Sequence, residues 1–170
     1  RQMCIRDRCS SDDSPNSGNL TQEPIGNVRY DSFVFTNVDV STNIIYGNNT
    51  TQNGVNQDLV MDVYQPSGDT ENMRNLVLLA HGGGFTSGDK ESFSQLANYL
   101  ARSGYVVASI NYRLLDLSVT PERIKQAVIE ATFDMKAAVR FFKKDAANSN
   151  TYKINPSTIF VGGYSAGAFM

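Results

Sequence analysis

The chain has 170 residues, 41% hydrophobic and 19% charged, with 15 Lys+Arg against 17 Asp+Glu and a formal net charge of -2. This is the composition of one globular domain, and so balanced a charge offers no basic field for nucleic acid. No apolar run approaches the ~18 residues of a bilayer-spanning helix, which excludes one.

Residues 1–8 (Arg-Gln-Met-Cys-Ile-Arg-Asp-Arg) are basic, lack an apolar segment and resemble translated sequencing-adapter peptide. They are set aside from the fold together with Cys4, the alternative being a short basic leader. Cys9 is followed by Ser10, Ser11, Asp12 and Asp13 and by a Ser/Asn/Gly/Pro-rich stretch to Gly26. That pattern looks like the mature start of a bacterial surface lipoprotein, with a lipid on Cys9 and a polar tether standing off the membrane. The resemblance implies a secreted or outer-membrane location; the other reading of Cys9 is a free thiol in a disordered tail. A Cys4–Cys9 disulfide would close too small a loop to stabilise anything, and two cysteines without partner histidines make no metal site. The expected organisation is thus 1–8 artefact, 9–27 tether and 28–170 globular.

Val28, Tyr30, Phe33, Phe35, Val38 and Val40 alternate in a way that predicts one strand over 28–40, with a register break near Asp31-Ser32. Residues 44–46 read as a short continuation. Residues 47–57 are rich in Asn, Gly and Thr and read as a surface loop; the glycosylation patterns at Asn19, Asn48 and Asn49 are read as chance. Strands are expected at 59–64, 76–80, 105–110 and 158–161. Asp89 can cap a helix over 90–103, whose Phe93, Leu96, Ala97, Leu100 and Ala101 share a face and which Gly104 ends. Pro121 starts a second helix to residue 146, with the stripe Ile124, Val128, Ala131, Met135, Ala138 and Phe142. Asp134, Lys136 and Arg140 lie off that stripe and read as solvated charges, Asp134 having a second reading as a residue that holds a loop. Residues 147–155 read as polar loop. Strand–helix–strand spacing predicts one α/β sheet with its last three strands parallel and the helices on opposite faces.

Two of these strands end in glycine-rich turns. The strand at 158–161 runs into Gly163-Tyr164-Ser165-Ala166-Gly167, a G-x-S-x-G sequence that fits a sharp strand-to-helix turn presenting a serine hydroxyl. The strand at 76–80 delivers His81-Gly82-Gly83-Gly84-Phe85, where successive glycines let backbone N–H groups approach a substrate oxygen.

From residue 57 onward the chain resembles the α/β-hydrolase superfamily, within it the bacterial carboxylesterases and lipases with an H-G-G-G loop. The resemblance is carried by Met61-Asp-Val-Tyr-Gln-Pro66, His81-Gly-Gly-Gly-Phe-Thr-Ser-Gly88, Asn111-Tyr-Arg-Leu114, Asp134-Met-Lys-Ala-Ala-Val-Arg-Phe141 and Gly163-Tyr-Ser-Ala-Gly-Ala168, in the family's order. Leu115 stands where hormone-sensitive-lipase-like enzymes continue to Ala-Pro-Glu, and Tyr164 where they usually carry Asp. The chain thus looks closer to carboxylesterase and feruloyl- or acetyl-esterase-like branches, acting on small-molecule or polysaccharide esters. The resemblance implies a mostly parallel sheet flanked by helices, Ser165 as nucleophile, an oxyanion hole from the N–H groups of Gly83, Gly84 and Ala166, and no metal or organic cofactor. By position alone, Phe85 and Tyr164 line the substrate pocket.

The histidine count shapes the mechanism. His81 is the only histidine, and it opens the glycine loop. In this fold the chain order is Ser, then Asp or Glu, then His, so the expected acid and base would both lie beyond residue 170. The chain therefore reads as the N-terminal half of a domain, inactive by itself, with His81 orienting the loop rather than serving as base. Two rivals are a serine peptidase of the prolyl-oligopeptidase kind, which shares the elbow, and a non-catalytic binding protein on the same scaffold.

Overall fold

The computed structural model describes residues 28–170; the adapter-like segment, Cys9 and the tether lie outside the described residues. Five strands form one sheet in the order β1-β2-β4-β3-β5: β1 (Val38–Thr50), β2 (Asn56–Pro66), β3 (Arg74–Ala80), β4 (Val106–Ile110) and β5 (Ile154–Gly163). β1 and β2 form an antiparallel hairpin, β2 is antiparallel to β4, and β3 is parallel to both β4 and β5. The three parallel strands are those expected.

Helix α1 (Ser94–Arg102) links β3 to β4, and α2 (Pro121–Ala147) links β4 to β5. One crossover moves from β3 to β4, and the next returns past β3 to its other neighbour. Right-handed crossovers in opposite directions cover opposite faces. Side chains of β3 divide accordingly: Leu76, Leu78 and Ala80 join Ala127, Ala131, Ala138 and Phe142 of α2 in the main core, whereas Val77 and Leu79 pack with Ala97 and Ala101 of α1. The opposite-face expectation holds.

Three expectations are corrected. Residues 28–37 are not strand; they form turns and irregular chain docked on the end of α1, where Tyr30 N–H bonds Ser103 O and the N–H groups of Val34 and Phe35 bond Arg102 O. Apolar alternation there serves docking: Phe33 packs edge-on against Tyr99 beneath the Arg102 guanidinium. Residues 47–57 are mostly hairpin, since Asn48 pairs with Asp58 and Thr50 with Asn56 around a turn where Gly54 sits at φ +80. Ladder bonds and the Asn48–Asp58 side-chain bond override the weak strand propensity of the Asn and Gly in this stretch. The first turn of the predicted helix at 90–103 is 3₁₀, Lys90–Phe93, because the Lys90 N–H bonds Asn111 Oδ1 and its carbonyl accepts from Ser109 Oγ. Asp89 caps that turn as expected, accepting from Glu91 N–H.

Asp134 is a fourth correction. Its carboxylate is fully buried, not solvated, and pairs with Arg113 at 2.8 Å. It also accepts the Arg113 backbone N–H, which fits the alternative reading of a residue that holds a loop.

Candidate active site

Ala80 and Gly163 are register partners at the ends of β3 and β5, so the glycine loop and the serine turn start side by side. Ser165 follows the end of β5 after one residue, Tyr164, and is exposed, with φ +51. For a residue with a Cβ this left-handed backbone is uncommon and has to be held by its surroundings. The glycines on either side hold it. A Cβ on Gly163 would stand 2.5 Å from Gly167 O and 2.6 Å from Ala80 O, and one on Gly167 only 2.0 Å from Ala80 O. The turn therefore presses against the β3 backbone, and only hydrogens fit at the contact. Ser165 opens a 3₁₀ turn, Ser165–Phe169, rather than the α-helix expected; the Gly167 N–H of this turn bonds Tyr164 O. Ala166 is buried in it.

The loop lies against the same serine. A Cβ on Gly82 would approach the Tyr164 ring to 2.7 Å and Ser165 Cβ to 3.2 Å. Two carbonyls of the loop are fixed. Gly82 O accepts from His81 Nδ1 at 2.7 Å, and Gly83 O accepts the N–H groups of Thr86 and Ser87 at 3.0 and 3.1 Å together with both hydroxyls. A peptide is planar and trans, so fixing a carbonyl directs the next N–H the opposite way. The Gly82 carbonyl thus orients the Gly83 N–H, and the Gly83 carbonyl orients the Gly84 N–H. Among the described residues neither N–H has a protein acceptor. Gly83 and Gly84 sit at φ +118 and +61, which glycine adopts without strain.

His81 is 1% exposed. Its ring stacks on Tyr112 at 4.4 Å, and a Cβ on Gly88 would meet Nδ1 at 2.3 Å. Donation to Gly82 O requires the Nδ1–H tautomer, and Nε2 has no partner among the described residues. Burial lowers the His81 pKa below its ordinary value, outweighing the Gly82 bond and the Asp89 charge, which raise it. The unfolded chain therefore binds the proton more readily. Stability present above about pH 6.5 should be lost as pH falls through the folded-state value. Because the chain has one histidine, imidazole ¹⁵N NMR reads the group without ambiguity. The expected spectrum is the Nδ1–H tautomer titrating below about 6.5; an Nε2–H tautomer or a raised midpoint would contradict this geometry.

Phe85, expected to line a pocket, is instead 5% exposed in the main core, at φ +62. Tyr164 is exposed, with its ring edge-on to Phe93 at 5.5 Å. A groove of ≈ 330 Å³ beside the turn is lined by Met135, Val161, Gly162, Gly163, Gly167, Ala168 and Met170, without Ser165 or the glycine loop. Sequence reasoning missed the buried pair Lys90–Asp62, 3.1 Å apart, which ties the loop's far end to β2. Asp62 sits between the core residues Met61 and Val63, and a charge inside so apolar a run was the available signal.

A glycine-flanked serine at the carboxyl end of the parallel strands of a mixed sheet, beside a loop of directed N–H groups, defines an α/β-hydrolase of the esterase-like class. Residues 61–170 match the BD-FAE family model, and the chain belongs to that family. It is 32% identical over 113 residues to bovine (Bos taurus) arylacetamide deacetylase, covering 65% of this chain and 26% of that protein. Among solved structures it is similar to Thermogutta terrifontis esterase 2: the native form has a TM-score of 0.57 at 26% identity, over 76% of this chain and 41% of that one. The propionate-bound form of that esterase gives 0.57 and 26%, over 76% and 42%. The chain thus spans about a quarter of the deacetylase and under half of the esterase.

Proposed function

We propose that the protein containing this chain is a serine carboxylic ester hydrolase with Ser165 as its nucleophile. The observation that carries the reading is the Ser165 backbone at φ +51, packed by two glycines against β3 and with Gly82 of the glycine loop against its side chain. Ser165 Oγ attacks the ester carbonyl, and the tetrahedral oxyanion takes hydrogen bonds from Gly83, Gly84 and Ala166, each worth roughly 3 kcal/mol in comparable sites. The alcohol leaves, and water then hydrolyses the acyl-enzyme. The proton of Oγ goes to a histidine outside these 170 residues, since His81 is committed to Gly82 and stacked on Tyr112. Tyr164 borders the approach to Ser165. This chemistry requires no metal or organic cofactor.

The substrate reading is an acetyl ester first and a feruloyl ester second, on a small molecule or a polysaccharide. Similarity to a deacetylase and to an esterase solved with propionate supports small acyl groups. A lipid on Cys9, and with it a secreted or surface location, belongs to the same proposal. The natural test is an acyl series on the reading frame that carries this sequence through a downstream histidine. Hydrolysis of p-nitrophenyl esters should fall from acetate to octanoate, methyl ferulate should be cleaved, and a prolyl peptide should not. Preference for the peptide would replace this reading with the oligopeptidase one, and no turnover of any substrate would favour the binding-protein reading.

A further inference from the structure

Residues 81–90 carry the directed N–H groups, yet their internal bonds centre on one carbonyl, Gly83 O. The segment 111–115 that leaves β4 places the loop in the molecule. Tyr112 Oη donates to His81 O at 2.7 Å while its ring supports the His81 ring. Leu115 N–H donates to Phe85 O at 2.7 Å. At the far end Asn111 Oδ1 accepts the Lys90 N–H at 2.6 Å, and Asn111 Nδ2 donates to Asp89 Oδ2 at 2.8 Å. The loop is therefore held at its start, middle and end by one stretch of five residues.

That stretch is itself immobilised from three sides. Asn111 N–H bonds Val60 O of β2, and Asn111 O accepts Tyr46 Oη of β1 at 2.8 Å. Arg113 is bound to Asp134 of α2 and to Thr50 O at the end of β1. Burial pushes the Tyr112 hydroxyl up to about 12, with the neighbouring Tyr164 adding to the effect, so it remains a donor across the working range.

We infer that residues 111–115 are the template that sets where the Gly83 and Gly84 N–H groups stand, with Asn111 and Tyr112 as positioning residues that act through the loop. The inference rests on the ester-hydrolase reading for its catalytic meaning, but its structural content does not. An oxyanion donor is effective only if its position is fixed before the charge develops. Asn111 and Tyr112 supply that fixity at opposite ends of the loop.

Two variants probe the two ends. Tyr112→Phe keeps the ring stack and deletes the bond to His81 O; Asn111→Ala deletes both bonds at Asp89 and Lys90. Thr132→Val is the control, since it removes a 2.8 Å hydroxyl bond to Val128 O on α2, outside both the loop and its template. Amide hydrogen exchange in the 170-residue chain should quicken at least about tenfold at Thr86, Ser87 and Leu115 in both loop variants, with the β3–β4 ladder unchanged. The control should leave all of these rates alone. Unchanged loop exchange in both variants would overturn the inference, as would a rise shared equally by the β3–β4 ladder. In the longer, ester-hydrolysing protein, each loop variant should lower kcat about tenfold with KM within about twofold, the pattern of a lost transition-state contact. A rise in KM with kcat unchanged would also overturn it. If that longer wild-type protein hydrolyses no ester, the ester reading fails, and the exchange rates still decide the template.

Discussion

Asp134→Ala should be among the most destabilising single substitutions in the chain, lowering the free energy of unfolding by about 3–5 kcal/mol. The Asp134 carboxylate has no solvent exposure and the Arg113 guanidinium only 6%. Arg113 gives Asp134 its backbone N–H at 2.9 Å, Nε at 2.9 Å and Nη2 at 2.8 Å, and spends its other donors on Thr50 O and Glu130 O. Removing the carboxylate leaves a buried cation and a buried backbone N–H without their acceptor, which costs far more than a surface pair is worth. It also unties α2 from β1 and from the segment that holds the glycine loop. Urea or guanidinium unfolding measures the loss. The double variant Arg113→Met/Asp134→Leu should retain more stability than Asp134→Ala, because it leaves no uncompensated charge. A loss below about 1 kcal/mol for Asp134→Ala would show the pair to behave like an exposed one.

That ion pair also marks where the sequence ceased to be readable. Stretches whose structure derives from their own pattern were legible: the apolar runs of β3 and β4, the α2 stripe, and the glycine-flanked serine, whose required hydrogens are now traceable to Ala80 O. Asp134 was misjudged because its partner lies 21 residues away in the irregular segment after β4, and helix periodicity reports only which side of the stripe a residue occupies. Lys90 and Asp62 escaped notice for the same reason, 28 positions separating two charges that bury each other. Residues 28–37 alternate like a strand, yet their polar backbone is satisfied by Ser103 and Arg102 carbonyls, a docking that local pattern cannot distinguish from a ladder. Residues 47–57 failed in the opposite sense, since pairing with a partner strand outweighed composition. At the site, the two glycine motifs were visible as motifs. Their convergence through the Ala80–Gly163 pair, the burial of Phe85 and the role of Asn111 and Tyr112 were set by register and by contacts across the sheet.

The second large effect is chemical. With Ser165 as nucleophile, Ser165→Ala should reduce ester hydrolysis in the longer reading frame by about 10⁵-fold or more, since removing a serine nucleophile leaves only what the oxyanion hole and binding supply. The 170 residues alone should show no turnover above background, because their one histidine is buried with Nδ1 bonded to Gly82 O. The variant itself should fold: Ser165 is exposed and its strained φ is held by neighbouring glycines rather than by its own hydroxyl. Hydrolysis of p-nitrophenyl acetate, monitored side by side in the longer protein and its Ser165→Ala variant at equal folded concentration, decides whether Ser165 is the nucleophile. The first should turn the ester over and the second should not; turnover that survives Ser165→Ala would rule Ser165 out as the nucleophile.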